Sequence, residues 1–416
     1  MRDYDEQAEN AFFALFADFF DSEKDAAKQH APENYSLDRM FPLAHLAEIS
    51  EPLPVPVIHV AGTKGKGSTC FFLDALLRSC GKTTGIFTSP HLDTVRERFQ
   101  INGRLLSHQE LTDCASPLLA SIRQQGLKPS LFEIFTILAL RLFLNRGVDY
   151  IILETGIGGR LDATNFLSSV AATVITPVSF DHTALLGKTI ESIASEKAGI
   201  LKPKVPLVLG HQPFPVGEQV IRQRAAALAC PVIAPADTQT VAEKFACLST
   251  LPTFLQDNFA LAWTVATAAL HLTPDASRFA LPLLRARFEV IRQDPLILLD
   301  AAHNADSMQK LVAAVSAKFP GLRFTVVLGI VQGKDVQGIV SALTDLPADF
   351  ILTNPHTGKG SALPELEPAA RQAGLKIVQV IPDLRSAEQL PTAQPLLFTG
   401  SFFTALIAEE IFPSHA

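Results

Sequence analysis

The chain has 416 residues, of which 48% are apolar and 19% charged, and its formal net charge is −7. Such a length exceeds what one hydrophobic core usually organises and predicts two or three domains, while the composition excludes a disordered chain. With no lysine/arginine-rich run or basic stripe, nucleic acid is excluded as the main partner, although a local nest of backbone amides can still hold a small anion.

The opening MRDYDEQAEN is acidic and lacks the basic region and apolar stretch of a secretory signal. The segment 55–60 reads as a buried strand, 68–78 as a helix and 84–88 as the next strand. The longest apolar segment, 131–144, carries Glu133 and Arg141 and is too short to span a bilayer. A helix over 132–144 is followed by strands at 150–154 and 171–178, both nearly all apolar, as in parallel strands covered on both faces. A helical segment over 256–272 leads to a second series of strands at 296–300, 323–328, 350–353, 376–380 and 396–399. This order predicts an α/β chain: a P-loop, doubly wound, mostly parallel sheet domain, then a smaller Rossmann-like α/β domain. The boundary falls near 281–288, giving domains 1–283 and 284–416. Cys70, Cys80, Cys114, Cys230 and Cys247 are scattered, odd in number and without CxxC or metal-ligand spacing, which fits a reducing compartment. The expectation is a soluble, cytoplasmic protein with no membrane partner.

The segment VPVIHVAGTKGKGSTCFFLDALL is a strand, a glycine-rich turn and a helix. Gly62, Gly65 and Gly67 permit close backbone approach, Lys66 supplies a positive charge, and Ser68 or Thr69 a hydroxyl, so the turn can cradle phosphates at the helix start. The strict P-loop spacing is not met: Val60 stands where the first glycine belongs, and Gly67 follows the lysine where Ser or Thr is expected. The bland alternative is a glycine-rich turn with a solvated lysine.

Strand 150–154 ends in ETGIGGRLDATN, which puts Glu154 at the carboxyl edge of the sheet, where open α/β folds bind ligands. A carboxylate near phosphates suits Mg²⁺, and capping a turn suits it equally. The next strand leads to Asp181 and His182 at the same edge. Lys197 lies near the end of a helix that Gly199 terminates; its local chemistry reads as a cation satisfying helix carbonyls.

Taken together these residues resemble the folylpolyglutamate synthase and dihydrofolate synthase family, relatives of the Mur ligases. The matching blocks are HVAGTKGKGST, FTSPHLDTVRERFQING, FEIF, ILETGIGGRLDATN, DHTALLG, SEKAGI, the region of Asn258, RARFE, LDAAHN and TGSFFTA, in the family's order across nearly the whole chain. The resemblance implies that Thr63, Lys64, Gly65, Lys66, Gly67 and Ser68 contact ATP, and that Ser89, Glu154 and His182 ligate Mg²⁺. It implies a carbamylated Lys197, overriding the helix-cap reading; the chemistry needs a lysine whose neutral form is accessible. Asn258, Arg287 and Asp300 match adenine- and phosphate-contacting positions, with His303 beyond them as the position expected to meet glutamate. Phe132, Glu133, Ile134 and Phe135, with Leu161, Asp162 and Ala163, resemble pterin-binding parts; an ordinary apolar helix face is the alternative for the first group.

The resemblance further implies an ATP-dependent ligase that adds L-glutamate to folates, and to dihydropteroate to form dihydrofolate, through an acyl phosphate. Lys66, Lys197, His182 and Arg287 carry the chemistry, and the chain acts as a monomer. The rivals are a synthase acting on folates alone, a Mur-type peptide ligase, and a nucleotide switch, which has no need of the Glu154, His182 and Lys197 set. The chain departs from the family at Lys64 for asparagine, Phe180 for leucine and Ala286 for glycine. It also has a shorter stretch between Gly210 and Asn258, and a divergent dihydropteroate-binding segment, APENYSLDRM.

Overall fold

The computed structural model describes residues 5–21, 35–355, 360–386, 390–391 and 394–412. Residues 1–4 of the N-terminal segment and 31–34 of the divergent segment lie outside the described residues. The described chain forms two compact units, one of residues 5–250 and 255–282, the other of 251–254 and 283–412.

The first unit is built on eight strands: β1 (Val57–Ala61), β2 (Thr84–Phe87), β3 (Phe99–Ile101), β4 (Arg104–Leu105), β5 (Tyr150–Glu154), β6 (Ala172–Ile175), β7 (Leu207–Leu209) and β8 (Val232–Ile233). Their order is β4-β3-β2-β5-β1-β6-β7-β8. All neighbours from β2 to β8 are parallel, and β3 and β4 extend the β2 edge as an antiparallel hairpin. The apolar runs explain the middle of this sheet: β1, β2 and β6 are buried at every residue, as parallel strands with helices on both faces must be. One apolar cluster gathers Phe87, Ile151 and Leu153 with the helices His108–Gln124 and Leu131–Asn145. A second gathers Ala61, Ile175 and Leu207 with the helices Ile190–Ala198 and Pro215–Ala227.

From β1 the chain moves outward past β5 to β2, and later returns to the other side of β1 as β6. That reversal opens a crevice beyond the carboxyl ends of the strands. The segments leaving β1, β2, β5 and β6 hold the glycine-rich turn, Ser89, the 155–165 loop and the Asp181–His182 pair.

The second unit has six strands: β9 (Glu289–Gln293), β10 (Leu296–Leu299), β11 (Phe324–Leu328), β12 (Ala348–Thr353), β13 (Ile377–Ile381) and β14 (Leu396–Thr399). They run in the order β13-β12-β11-β14-β10-β9, parallel except for β9. Two α/β units with mostly parallel sheets are the fold the alternating pattern predicts. Among the described residues no helix is long and apolar enough to cross a membrane.

Candidate active site

The glycine-rich turn runs from Gly62 into the helix Lys66–Ser79. Gly65, at φ 83°, caps that helix without a side-chain acceptor, so the first amides of the helix point outward for an anion. The turn is tied to the loop after β6: Thr63 N–H donates to Pro177 O at 3.0 Å, Thr63 Oγ1 to Ser179 O at 3.1 Å, and Ser179 N–H back to Thr63 Oγ1 at 3.1 Å. Two glycines are sterically required. A Cβ on Gly62 would overlap the Thr176 hydroxyl, and one on Gly65 the Asn258 carboxamide, which brings buried Asn258 against the turn. Gly67 has a further reason to replace the usual Ser or Thr, since its Cβ would lie 3.4 Å from Glu154 Oε2 and any longer side chain would stand between the helix start and that carboxylate.

Glu154 is 4% exposed. Its Oε2 accepts the Ser89 N–H at 3.1 Å, and its Oε1 faces Lys66 Nζ at 3.9 Å. The structure therefore brings Lys66, Ser89 and Glu154 to one point. His182, at φ 49°, precedes the short helix Thr183–Leu186 on the loop after β6, and its N–H is held by Asp181 Oδ1 at 3.0 Å. Asp181 in turn reaches Lys64 Nζ at 3.5 Å. Among the described residues no group of three or more His, Cys, Asp or Glu side chains is placed to hold a metal ion. The Glu154 carboxylate is an oxygen donor of the hard type that fits a divalent cation near phosphates; Ser89 meets it through its backbone amide, and His182 stands on a neighbouring loop of the same edge.

Lys197 is buried, 4% exposed, and its Nζ donates to Gly62 O at 2.9 Å. Burial lowers its pKa to about 7, aided by the charges of Lys66 and Lys64 against the opposing pull of Asp181 and Asp162. The amine is thus half neutral near pH 7, which is the condition for it to react with an electrophile such as CO₂. A helix-terminal cation would need none of this burial.

The seven residues matched to pterin binding divide. Phe132 is half-buried and covers Gly156, where an added Cβ would lie 2.7 Å from the ring, so it touches the same loop that carries Leu161 and Ala163. Ile134 and Phe135 are core residues; Phe135 packs against Phe12, Phe16 and Phe99. Glu133 closes the capping box of its own helix and pairs with Arg39 at 2.6 Å. Asp162 points inward and accepts from Ile157 N–H, Thr164 N–H and Thr164 Oγ1. His59, Thr164 and Arg39 were not singled out in the sequence. A histidine inside an otherwise apolar, doubly covered strand was the signal for the first.

In the second unit the residues 286–303 form their own cluster. Ala286 and Phe288 both lie at φ 51°, and Asp300 braces this bend, accepting Phe288 N–H at 2.9 Å and Ala302 N–H at 2.8 Å. The Arg287 guanidinium stands 4.3 Å over the Phe402 ring, and the His303 ring lies 6.1 Å from the same phenyl group, with Nδ1 2.9 Å from Ala301 O. Arg287, His303 and Phe402 are brought together; Asp300 lies beneath them as the support of the loop.

A phosphate-cradling turn at a sheet switch point, a strand-end carboxylate facing the loop lysine, a buried low-pKa lysine and a second α/β unit define a nucleotide-binding enzyme of the Mur ligase type. In agreement, residues 286–402 match the family described as Mur ligase, glutamate ligase domain. The Bacillus subtilis dihydrofolate synthase/folylpolyglutamate synthase is 34% identical over 320 residues, 70% of this chain and 74% of that protein. The chain belongs to the dihydrofolate synthase/folylpolyglutamate synthase family. Among solved structures it is similar to the Mycobacterium tuberculosis folylpolyglutamate synthase complexed with ADP, at 26% identity and TM-score 0.83, over 99% of this chain and 100% of that one. It is also similar to the Yersinia pestis bifunctional folylpolyglutamate synthase/dihydrofolate synthase complexed with AMPPNP and Mn ion, at 27% identity and TM-score 0.77, over 91% and 93% of the two chains.

Proposed function

We propose that this chain is an ATP-dependent ligase that joins L-glutamate to the carboxylate of a folate and to dihydropteroate. The ATP γ-phosphoryl group passes to the acceptor carboxylate and ADP leaves. The glutamate amine then attacks the acyl carbon of the acyl phosphate, inorganic phosphate departs, and the amine proton is lost to solvent. The observation that carries this reading is the meeting of Lys66 and Glu154 at the start of an uncapped helix, with the buried Lys197 amine on the carbonyl of Gly62.

In this reading the turn amides and Lys66 hold the phosphates, and Thr63 and Asn258 fix the turn. Glu154, Ser89 and His182 would hold Mg²⁺, which neutralises charge on the transferring phosphoryl group when bound. Lys197 is carbamylated, its neutral amine adding to CO₂ with loss of a proton, and so presents a carboxylate-like group beside the loop. Arg287, held over Phe402, meets developing phosphoryl charge, as electrostatic stabilisation requires; Asp300 supports it, and His303 meets glutamate. Phe132 and Leu161 face the pterin, with Glu133, Ile134, Phe135, Asp162 and the buried Ala163 holding them from beneath. The two functional domains are 1–283 and 284–416, and the protein is a cytoplasmic monomer, in keeping with its five free cysteines.

Purified protein with MgATP and labelled glutamate, offered dihydropteroate, tetrahydrofolate or a muramyl nucleotide in turn, tests the assignment. Labelled product is expected with both pterin acceptors and none with the muramyl nucleotide. Product from tetrahydrofolate alone removes the dihydropteroate reaction, and product from neither overturns the proposal. Light scattering gives the assembly: one species near the 45.0 kDa chain mass is expected.

A further inference from the structure

The proposed chemistry leaves unused a histidine in the middle of β1. His59 is fully buried in a strand whose other residues are valine, isoleucine and alanine. Its Nε2 lies 2.7 Å from Thr164 Oγ1, and that hydroxyl donates to Asp162 Oδ1 at 2.6 Å. Because the single hydroxyl proton goes to Asp162, Thr164 accepts from His59, which assigns the ring proton to Nε2. Nδ1 is then a buried acceptor without a partner. Burial, with the charge of Lys202, lowers the His59 pKa to about 3, so the ring is neutral at any working pH. An apolar residue would fill the same position without stranding a lone pair; what the histidine adds is its bond to Thr164.

That bond belongs to a closed circuit. Asp162 gathers Ile157 N–H at 2.9 Å and Thr164 N–H at 3.0 Å, which sets the course of the 155–165 loop. The loop is clamped to the end of the helix Ile190–Ala198: Arg160 N–H donates to Glu196 O at 2.8 Å, and Asn165 Nδ2 bridges Arg160 O at 3.0 Å and Gly199 O at 3.1 Å. Gly159 approaches so closely that an added Cβ would lie 3.1 Å from Lys197 Cα. Lys197 returns to the start of the circuit through Gly62 O, three residues beyond His59 on the segment leaving β1.

We propose that His59, Thr164 and Asp162 are positioning residues that act through the 155–165 loop to hold the Lys197 amine against the phosphate-binding turn. The inference rests on the role given to Lys197 above, and its test keeps the two apart. Thr164→Val preserves side-chain volume and removes both hydroxyl hydrogen bonds; Thr164→Ser restores them. The readouts are kcat, KM for MgATP, and the carbamate signal of protein equilibrated with ¹³C-bicarbonate, observed by NMR.

Thr164→Val is expected to lower kcat by about tenfold or more, the scale of a small displacement in a preorganised site, with KM for MgATP within about twofold of the parent. Its carbamate signal should need more bicarbonate to saturate, and Thr164→Ser should recover both quantities. Wild-type kcat and carbamate occupancy in Thr164→Val overturn the inference, as does Thr164→Ser failing equally. A parent enzyme without any carbamate signal removes carbamylation from the mechanism, whereas the kcat split between Thr164→Val and Thr164→Ser still decides the positioning. Should Thr164→Val not fold, His59→Leu against His59→Gln, which keeps a donor near the Nε2 position, makes the same comparison.

Discussion

In each sheet an inner strand leads to a carboxylate at its carboxyl end, and the two carboxylates have different partners. Glu154, at the end of β5, reaches sideways: one oxygen takes the Ser89 amide from the β2 loop and the other faces Lys66. Asp300, just past β10, turns both oxygens to backbone amides of its own neighbourhood, Phe288 and Ala302. Position at the carboxyl edge of a parallel sheet thus makes a carboxylate available; in the proposed mechanism Glu154 serves a ligand, whereas Asp300 braces the chain. The lysines around the first carboxylate are drawn into the protein, with Lys197 buried and Lys66 and Lys64 half-buried. The cation beside the second, Arg287, is held by a phenyl ring. The first site is built on electrostatics in a water-poor setting, where charge acts strongly; the second presents a stacked guanidinium on a strained loop.

The largest effect should come from the group most deeply committed to the first site. Lys197→Met is expected to reduce kcat for glutamate incorporation by about 10³-fold, the upper scale for removing one preorganised charged group. It should also change how stability depends on pH. Because burial depresses the Lys197 pKa from 10.5 to about 7, the unfolded chain binds more protons than the folded one between those values, so this group makes stability rise with pH from about 7 to about 10.5. Urea midpoints across that window, measured in bicarbonate-free buffer so that the amine is uncarbamylated, should therefore climb less steeply in Lys197→Met than in the parent. Equal slopes would mean that the lysine is not buried as a neutral amine.

A paired substitution probes the comparison itself. Glu154→Gln should lower kcat by about 10²-fold with a weakened response to added Mg²⁺, while the urea midpoint stays near that of the parent. Asp300→Asn should act mainly on stability, with a smaller loss of kcat than Glu154→Gln that comes through Arg287. The new amide NH₂ must face one of two backbone donors, so a buried hydrogen bond becomes a donor–donor contact costing about 1–3 kcal/mol in unfolding free energy. If both variants lose activity at unchanged stability, the two carboxylates are equivalent and the distinction drawn from their partners fails.

How far these roles could be read from sequence depends on whether the signal is local. The longer parallel strands were legible because largely apolar runs such as VIHVA and YIILE have few other uses in a chain this size, whereas the short parallel strands β7 and β8 went unread. The phosphate turn was legible because glycines at a strand-to-helix junction have a specific backbone purpose. The β3–β4 hairpin went unread although Asn102 and Gly103, both at positive φ, form its tip: strands of three and two residues leave almost no periodicity. The helix Leu131–Asn145 is apolar nearly all round, so its sequence could not say that Phe132 faces the glycine loop while Phe135 enters the core. That the Asp162 side chain bonds Thr164 and Ile157 follows from a loop course that no spacing reveals. Likewise, nothing local announces that Lys197 lies against Gly62, 135 residues earlier.

A smaller effect is expected at Arg287, where charge and shape can be separated. Arg287→Lys keeps the positive charge but gives up the planar group that stacks 4.3 Å over Phe402. If stacking aims the charge, kcat/KM should fall by about tenfold, roughly the 1–2 kcal/mol of a cation–π contact in a desolvated setting, and Phe402→Leu should produce a similar loss. Full activity in Arg287→Lys would leave charge alone as the requirement.

The smallest effect concerns the backbone beneath that arginine. Ala286 sits at φ 51°, a left-handed conformation in which a Cβ meets the following carbonyl, while its N–H is bound by Glu289 Oε2 at 2.6 Å and its carbonyl by Ala301 N–H at 2.9 Å. Those two bonds hold the residue in place despite the strain. Ala286→Gly removes the clash and keeps both bonds, but glycine also gives the unfolded chain more freedom, and the two effects oppose each other. For alanine at positive φ the strain is the larger, so the variant should gain a few tenths to about 1 kcal/mol in stability, read as a higher urea midpoint. With the loop no longer fixed by its own side chain, the Arg287 guanidinium becomes less strictly aimed, and a slight fall in kcat should accompany the gain. A more stable variant with unchanged kcat would show that the bonds to Glu289 and Ala301, together with Asp300, fix the arginine without help from the alanine methyl group.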